Sequence, residues 1–237
     1  MDEQAKREKV YRVFENVAGG YDAANDRISL GLQKSWKRML TDRVMAQAGG
    51  AAEPERAYLD LCCGTGDIAI TLARRDPGAK VTGADFSPAM LEIAREKSRQ
   101  LDNITWVCAD AASLPFEDNS FCAAAVSFGL RNTADYKKVL SEMVRVVAPG
   151  GRVYVLDSCA VEHPVIKPFY RLYFRHVMPL LGGGRQHRDE YRWLWQSTEE
   201  FLRPAALRRL FRETGLVSIR HSTRMFGACV LTEGRKP

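Results

Sequence analysis

The sequence predicts an α/β fold: a mostly parallel, seven-stranded sheet with helices on both faces and an antiparallel strand at its edge. Three observations carry this reading. Short apolar runs alternate with segments of helical period from residue 56 to residue 157. Those runs are close to continuously apolar, as in Cys122-Ala123-Ala124-Ala125-Val126-Ser127, which suits strands covered on both faces. A glycine turn, Gly64-Thr65-Gly66, joins the first apolar run to the first helix of the alternation. The 237 residues read as one domain, residues 1–237, with no internal repeat and no linker composition.

The elements follow in order. Residues 4–18 and 28–48 set Val10, Val13, Phe14 and Val17, then Leu32, Trp36, Met39, Leu40 and Val44, at helical spacing around a joint at Gly19-Gly20-Tyr21-Asp22. Residues 1–48 are therefore expected to form an amino-terminal helical lid. Residues 57–61 are the first strand and 67–75 its helix, and residues 80–85 are the second strand. Ser87 caps a helix over residues 88–101 with Pro88 at its first position, and residues 104–108 are the third strand. Residues 122–127 are the fourth strand, 136–147 a helix closed by Pro149-Gly150-Gly151, and 152–157 the fifth strand. The rhythm then breaks, and residues 161–200 read as a helical segment inserted outside the sheet on the substrate side. A helix over 204–214 leads to strands at 217–220 and 227–232, able to pair as a hairpin at the sheet edge.

Composition narrows the class. The 46% hydrophobic and 27% charged fractions exclude a disordered chain, and 18 Gly with 10 Pro exclude a fibrous one. No run of 18 apolar residues lacks a charge, and the start, Met1-Asp2-Glu3-Gln4-Ala5-Lys6-Arg7-Glu8-Lys9, has no apolar signal segment, so a cytoplasmic protein is expected. Six Cys include the adjacent Cys62-Cys63 but no Cys-x-x-Cys, which points to reduced thiols and no metal site. The net charge of +6 is asymmetric: residues 1–120 hold 16 basic and 19 acidic side chains (−3), residues 121–237 hold 19 and 10 (+9). A basic half suits nucleic acid, an anionic membrane surface or an acidic substrate, with solvated arginines as the plain alternative. Nucleic acid is not expected as a partner, because that needs a base pocket or an added binding domain, and the sequence shows neither an Asn-Pro-Pro-Tyr-type motif nor such a domain. The oligomeric state is not legible.

The chemistry concentrates around the glycine turn. A dinucleotide would set its pyrophosphate on the helix amino terminus, yet Asp60 enters this turn, Asp67 leaves it, and the third glycine of the dinucleotide fingerprint is missing. A cationic ligand without phosphate, S-adenosylmethionine, fits better. Asp85 ends the second strand, where a carboxylate accepts ribose hydroxyls, and Asp110 ends the third, beside the expected adenine. Each acid alone also reads as a cap or loop residue. Three of them at three successive strand ends favour the cofactor.

Leu59-Asp60-Leu61-Cys62-Cys63-Gly64-Thr65-Gly66-Asp67, Asp85-Phe86-Ser87, Leu114-Pro115-Phe116 and Pro149-Gly150-Gly151 resemble the successive motifs of a Rossmann-like class I methyltransferase. Two more segments, residues 14–26 (Phe14-Glu15-Asn16 through Tyr21-Asp22 to Asp26) and Ser127-Phe128-Gly129-Leu130-Arg131-Asn132, resemble the ubiquinone/menaquinone C-methyltransferase family. The resemblance implies methyl transfer from S-adenosylmethionine to a ring carbon of a prenylated quinol such as demethylmenaquinol, with another lipophilic or secondary-metabolite acceptor as the alternative. It implies cofactor contacts at Thr65, Asp85, Asp110, Ala111 and Ser127, with Asp60, Gly64, Gly66 and Phe86 completing the set. It places Arg131 and Asn132 on the acceptor, Arg131 as a phenolate stabiliser and Asn132 as a donor to a quinol oxygen, with capping of the next loop as their alternative. Tyr21 is expected to relay a proton, or else to be a packing residue. Cys62 stands where many such enzymes have glycine.

The match is poor over residues 161–198, which leaves the acceptor open. There Lys167, Arg171, Arg175, Arg185, Arg188 and Arg192 face Glu162, Asp189 and Glu190 in number, interleaved with Phe169, Tyr170, Tyr173 and Phe174. This composition reads either as transient docking on an anionic leaflet at the inner face of the membrane or as a roof on the active site. Trp193 and Trp195 cannot share a helical face, so one is expected at the surface for ligand or lipid. His163, His176 and His187 fall outside every motif and read as surface groups.

Overall fold

The computed structural model describes residues 3–48, 56–178 and 188–237. The chain runs α1 (Glu3–Val17), a single 3-10 turn (Ala18–Gly20), α2 (Tyr21–Ile28) and α3 (Leu32–Ala48) before entering the sheet. There follow β1 (Ala57–Leu61), α4 (Asp67–Arg75), β2 (Lys80–Asp85), α5 (Pro88–Lys97), β3 (Ile104–Cys108), β4 (Phe121–Ser127), α6 (Tyr136–Val146) and β5 (Val147–Ser158). After β5 come α7 (Ile166–Leu172), a π turn (Tyr173–Val177), α8 (Arg188–Glu200), α9 (Pro204–Glu213), β6 (Val217–Arg224) and β7 (Cys229–Arg235).

The seven strands form one sheet in the order β3-β2-β1-β4-β5-β7-β6. β1 to β5 pair in parallel, and β7 runs antiparallel to both β5 and β6. The two terminal strands thus make the expected hairpin at the sheet edge, and its second strand, slotted between β5 and β6, is the one that opposes the other six. Alternation along β5 feeds two cores. Val153 and Val155 join Leu59, Leu61, Leu140, Met143 and Phe211 under α6 and α9, while Tyr154 and Leu156 join Leu40, Val44, Tyr58 and Leu72 under α3 and α4. Both faces are covered, as near-continuous apolar strands require.

Several boundaries differ from expectation for physical reasons. The glycine joint is confined to Gly19 and Gly20, and Tyr21 already begins α2. The Pro-Gly-Gly run does not close a loop: β5 starts at Val147, because Gly150 N–H donates to Lys236 O and Lys236 N–H donates to Gly151 O, both at 2.9 Å. A Cβ at Gly151 would lie 2.6 Å from Cys122 O, so the close approach of β4 needs the glycine. Ser87 caps α5 by accepting from Met90 N–H at 3.2 Å, with Pro88 following it as expected. That helix stops at Lys97, where Ser98 turns its Oγ back to Ala94 O.

The expectation that one tryptophan of α8 is exposed is overturned. Trp193 is fully buried against Val10 and Val13 of α1, and Trp195 is half-buried, stacking with Phe174 at 5.2 Å. Two different neighbours, one on each side of the helix, bury both faces. His163 is exposed; Arg185, His187 and the side chains of Arg175, His176, Arg188, Asp189 and Glu190 lie outside the described residues. No helix among the described residues is long and apolar enough to cross a membrane.

Trp106 ties the nucleotide-side strands together. Its indole lies over Gly83 and Gly66, where an added Cβ would come within 2.2 and 2.3 Å of the ring, and its Nε1–H donates to Ser98 Oγ at 3.0 Å. Gly83→Ala is expected to destabilise the fold by about 1–3 kcal/mol through overpacking. Denaturant unfolding should show most of that loss recovered in a Trp106→Leu background. An unrecovered loss would mean that the backbone rather than the indole sets the constraint.

Candidate active site

The site lies along the carboxyl ends of the strands. β1 leaves through a turn in which Cys62 (φ 53°), Gly64 (φ 54°) and Gly66 (φ 84°) all take left-handed backbone. This kink brings the turn over the sheet edge and starts α4, whose first N–H groups face back toward β1. Phe128 (φ 57°) makes a second left-handed corner at the end of β4. A Cβ at Gly129 would sit 2.4 Å from Cys62 Cβ, so the two corners are pressed together.

Two adjoining cavities open here. The inner, of about 160 Å³, is lined by Asp85, Phe86, Asp110, Ala111 and Asn132 together with Arg7, Val10 and Phe14 of α1. The outer, of about 310 Å³, is lined by Asp60, Thr65 and Arg131, by Trp36 of α3, and by Tyr170, Tyr173, Phe174, Met178 and Leu194. Tyr21, Cys62, Gly64, Ser127 and Phe128 border both, forming the wall between them.

The strand-end acids hold different protonation balances. Asp60 is buried and accepts from Ala69 N–H at 3.0 Å. Burial pushes its pKa up to about 8, and the charges of Asp85 and Asp67 push the same way, against the Ala69 N–H and Lys37. Asp85 is also raised by burial, against the N–H groups of Ser87, Gly64 and Phe86; Gly64 donates to it at 2.8 Å and Ser87 at 3.0 Å. Burial likewise opposes ionisation of Asp67, but Lys37 at 2.8 Å and Lys97 at 2.6 Å outweigh it and hold the carboxyl below its usual range. Asp67 is therefore committed to lysines. Among the described residues Asp60 and Asp85 have no ion-pair partner and remain available to a cation or to hydroxyls.

The fit to S-adenosylmethionine rests on buried atoms without partners: Asp60 Oδ1, Ser127 Oγ and Asn132 Oδ1. Asn132 Oδ1 accepts, Asp60 Oδ1 accepts once a bound cation holds its carboxyl ionised, and Ser127 Oγ both donates and accepts, which suits the ammonium, hydroxyls and exocyclic amine of that molecule and not a phosphate. The α1 and α2 helices reach the same turns. Arg7 pairs with Asp110, Glu15 accepts from Ser87 Oγ at 2.6 Å, and Asp22 accepts from Thr65 Oγ1 at 2.6 Å and from Lys97 at 2.9 Å.

Two sequence-predicted residues stand apart from the others. Gly66 lines neither cavity; it caps α4 in left-handed backbone and gives room to Trp106, so it is a packing glycine. Asn132, expected on the acceptor, borders the inner cavity beside Asp85, with its Nδ2 donated to Phe128 O at 3.3 Å. The short 3-10 turn Leu130–Asn132 points successive side chains in different directions, which separates Asn132 from Arg131. Arg131 borders the outer cavity, and its Nη1 donates to Asp157 Oδ1 at 2.6 Å and to Phe128 O at 2.7 Å. Asp157, fully buried, was missed from the sequence, although it stands at a strand end like the other three acids. Of the aromatics in residues 161–192, Tyr170, Tyr173 and Phe174 roof the outer cavity, while Phe169 does not. Burial raises the pKa of the Tyr21 phenol, with Arg131 opposing, so it stays protonated at neutral pH.

Asp60 sets a pH signature on the unliganded protein. An unfolded Asp titrates near 4, so with a folded value near 8 the folded state binds the extra proton between those limits. The stabilising contribution of the carboxylic acid is fully present below about pH 4 and is lost as pH rises toward 8. Denaturation midpoints between pH 5.5 and 8.5 should fall more steeply for the wild type than for Asp60→Asn. Parallel slopes would show that Asp60 is ionised throughout.

The geometry agrees with the comparisons. Residues 2–236 match the model of the ubiE/COQ5 methyltransferase family. The chain is 40% identical over 237 residues to a Staphylococcus aureus demethylmenaquinone methyltransferase, covering 99% of this chain and 96% of that one. Among solved structures it is similar to a chain of the Haloferax volcanii complex between the Trm112 methyltransferase activator and a methyltransferase (TM-score 0.65, 20% identity, 94% of this chain and 97% of that one). It is also similar to Haemonchus contortus phosphoethanolamine N-methyltransferase 2 bound to S-adenosyl-L-methionine (TM-score 0.59, 18% identity, 84% and 52%). Strand-end acids, a phosphate-excluding turn and a family match across the chain lead to one conclusion: the protein belongs to the ubiE/COQ5 methyltransferase family and is a methyltransferase that uses S-adenosylmethionine.

Proposed function

We propose that the protein methylates a ring carbon of a prenylated quinol, with demethylmenaquinol as the acceptor. The observation that carries this reading is the pairing of an acid-lined chamber with a larger cavity walled by Trp36, Tyr170, Tyr173, Phe174 and Met178, the two sharing a wall at Tyr21 and Ser127. A flat, apolar ring system fits an aromatic-lined cavity. The demethylmenaquinone methyltransferase relative supports the same class.

In this reading Asp85 accepts the ribose hydroxyls, and Asp110, Phe86 and Ala111 border the adenine. Asp60, Gly64, Thr65 and Ser127 hold the amino-acid end. The cofactor supplies a methyl group activated by its positive sulfur. The chain's own part is to make the acceptor carbon nucleophilic and to align it. A ring carbon becomes electron-rich as the neighbouring hydroxyl loses its proton, and donors aimed at that oxygen favour the loss. Arg131 is fixed by Asp157 at the cavity wall and provides one such donor. Tyr21, kept protonated by burial, provides another and passes a proton along its hydrogen bond rather than acting as a free base. Together such groups are worth roughly 10²–10⁴ in rate. Residues 1–48 act as a lid on the inner chamber, and residues 161–200 as the acceptor-side wall.

Asp85→Ala should raise the dissociation constant of S-adenosylmethionine by roughly 10- to 100-fold, the loss of charge-assisted hydrogen bonds, with little change in unfolding temperature. Calorimetric titration checks this, and an unchanged constant in folded protein would sink the ribose assignment. Arg131→Ala strands Asp157 as a buried charge at a cost of about 3–5 kcal/mol, so Arg131→Lys is the informative variant. With saturating cofactor it should lose at least tenfold in kcat and keep its cofactor affinity within about twofold. Labelled S-adenosylmethionine offered with demethylmenaquinol, a demethoxyquinol and RNA should mark the first; labelled RNA alone would overturn the acceptor class.

A further inference from the structure

We infer that an apolar collar around the mouth of the outer cavity docks the protein on an anionic lipid bilayer, so that the acceptor enters the site from the membrane. The inference draws its lipophilic acceptor from the reading above. Three segments distant in sequence build the collar. Leu30 lies at the corner between α2 and α3, Val165 caps α7 and Phe169 and Leu172 lie on it, and Met225 and Phe226 lie between β6 and β7. Leu30 and Met225 border the outer cavity itself. Tyr173 Oη donates to Ile28 O at 2.6 Å, joining the α7 segment to the first corner, and the rings of His163 and Phe226 lie 5.9 Å apart, joining it to the second.

These side chains are turned to solvent. Leu30 is 74% exposed, Phe169 68% and Phe226 64%. Residues 165, 169 and 172 recur at one helical face of α7, while Tyr170 and Tyr173 on the adjacent face line the cavity. The helix thus presents one apolar face inward and another outward. Backbone strain sharpens the point. Leu30 (φ 50°), Met225 (φ 51°) and Phe226 (φ 55°) occupy the left-handed region, which large residues rarely adopt. Buried side chains elsewhere can offset such strain by packing. These three are exposed, so packing within the chain offsets little of the strain, and an apolar layer laid over them would add the missing contact.

Charge selects the occupant. Arg27 beside Leu30, Lys167 on α7 and Arg224 beside Met225 form no ion pair among the described residues, and all three border the collar. Cations ringing an apolar, partly aromatic patch complement an anionic leaflet, with rings entering the headgroup layer and basic groups remaining at the phosphates. A second copy of the chain would bring like charges together at the same rim.

The test uses vesicles of phosphatidylcholine alone and of phosphatidylcholine with phosphatidylglycerol, in sedimentation with the full chain and with Phe169→Ser/Leu172→Ser/Phe226→Ser. None of the three substituted residues lines a cavity. Wild type should bind the anionic vesicles, bind the neutral ones less, and lose binding as salt is added. The triple variant should bind at least tenfold more weakly while keeping its affinity for S-adenosylmethionine, which reports an intact fold. Equal vesicle binding by variant and wild type, or no binding by wild type, would overturn the docking surface. So would a wild-type dimer in solution that the triple variant breaks, since the collar would then be a contact between copies. Vesicle binding with the expected loss but no methylation of any quinol would leave the collar standing and remove the acceptor assignment instead.

Discussion

A single requirement recurs along the sheet: each carboxylate that ends a strand at the site must find backbone N–H groups to sit on. Asp60 takes Ala69 N–H, Asp85 takes Gly64 and Ser87, Asp110 takes Ala112, and Asp157 takes Arg131 and Ser158. An ionised carboxylate without such donors would be too costly to bury. The donors come from the turns that follow the strands, so the acids and the turn conformations fix one another. This explains why the β1 turn needs three residues in left-handed backbone: it folds back far enough for Gly64 N–H to reach Asp85 of the neighbouring strand. The parallel sheet sets these strand ends in one row, β3, β2, β1, β4 and β5. β4 ends on a hydroxyl in place of an acid, Ser127, whose Oγ is left without a partner.

The amino-terminal helices are attached to this row by two kinds of contact with different strengths. Toward the turns the links are polar: Arg7 to Asp110, Glu15 to Ser87, and Asp22 to Thr65 and Lys97. The Arg7–Asp110 and Asp22–Lys97 ion pairs are partly exposed, and such pairs contribute about 0–1 kcal/mol each. Val10 and Val13 also pack on Trp193 of α8, and Tyr11 and Phe14 meet Phe86 at 5.9 and 6.4 Å, apolar contacts of larger worth. α1 is therefore held over the inner chamber by apolar contacts as well as by polar ones.

The sheet and the acids Asp60, Asp85 and Asp110 were legible in the sequence because both depend on local pattern, whereas Asp157, whose role rests on Arg131, was not. Strands buried on two faces must be apolar throughout, and an acid at the end of such a run stands out against it. What escaped was whatever depends on a distant partner. Gly66 looks like a ligand-facing glycine until Trp106, forty residues on, is found in its place of contact. Pro149-Gly150-Gly151 reads as a break until the carboxyl-terminal Lys236 pairs with it. Trp193 and Trp195 read as one buried and one exposed residue because a single helix has one obvious buried face; α1 on one side and the π turn on the other supply two. Asn132 was assigned by adjacency to Arg131, and a 3-10 turn sends neighbours to opposite chambers.

The wall between those chambers concentrates the remaining strain. Cys62 and Phe128, on the adjacent strands β1 and β4, both adopt left-handed backbone, a cost of order 1–3 kcal/mol at each. Cys62 occupies a position where glycine would remove that cost, yet its Cβ packs against the backbone of Gly129, and any side chain on Gly129 would collide with it. The two corners interlock as a knob and its recess, and relaxing one would open a gap against the other. Their rigidity matters because Tyr21, Gly64 and Ser127 complete the same wall. In the proposed transfer the methyl group moves past this wall in line with the acceptor carbon, and misplacement by an ångström is enough to cost about 10²-fold in rate. The interlocked pair holds that wall in one shape, with Asp85 and Asp110 in the inner chamber and Asp60 under the aromatic roof of the outer one.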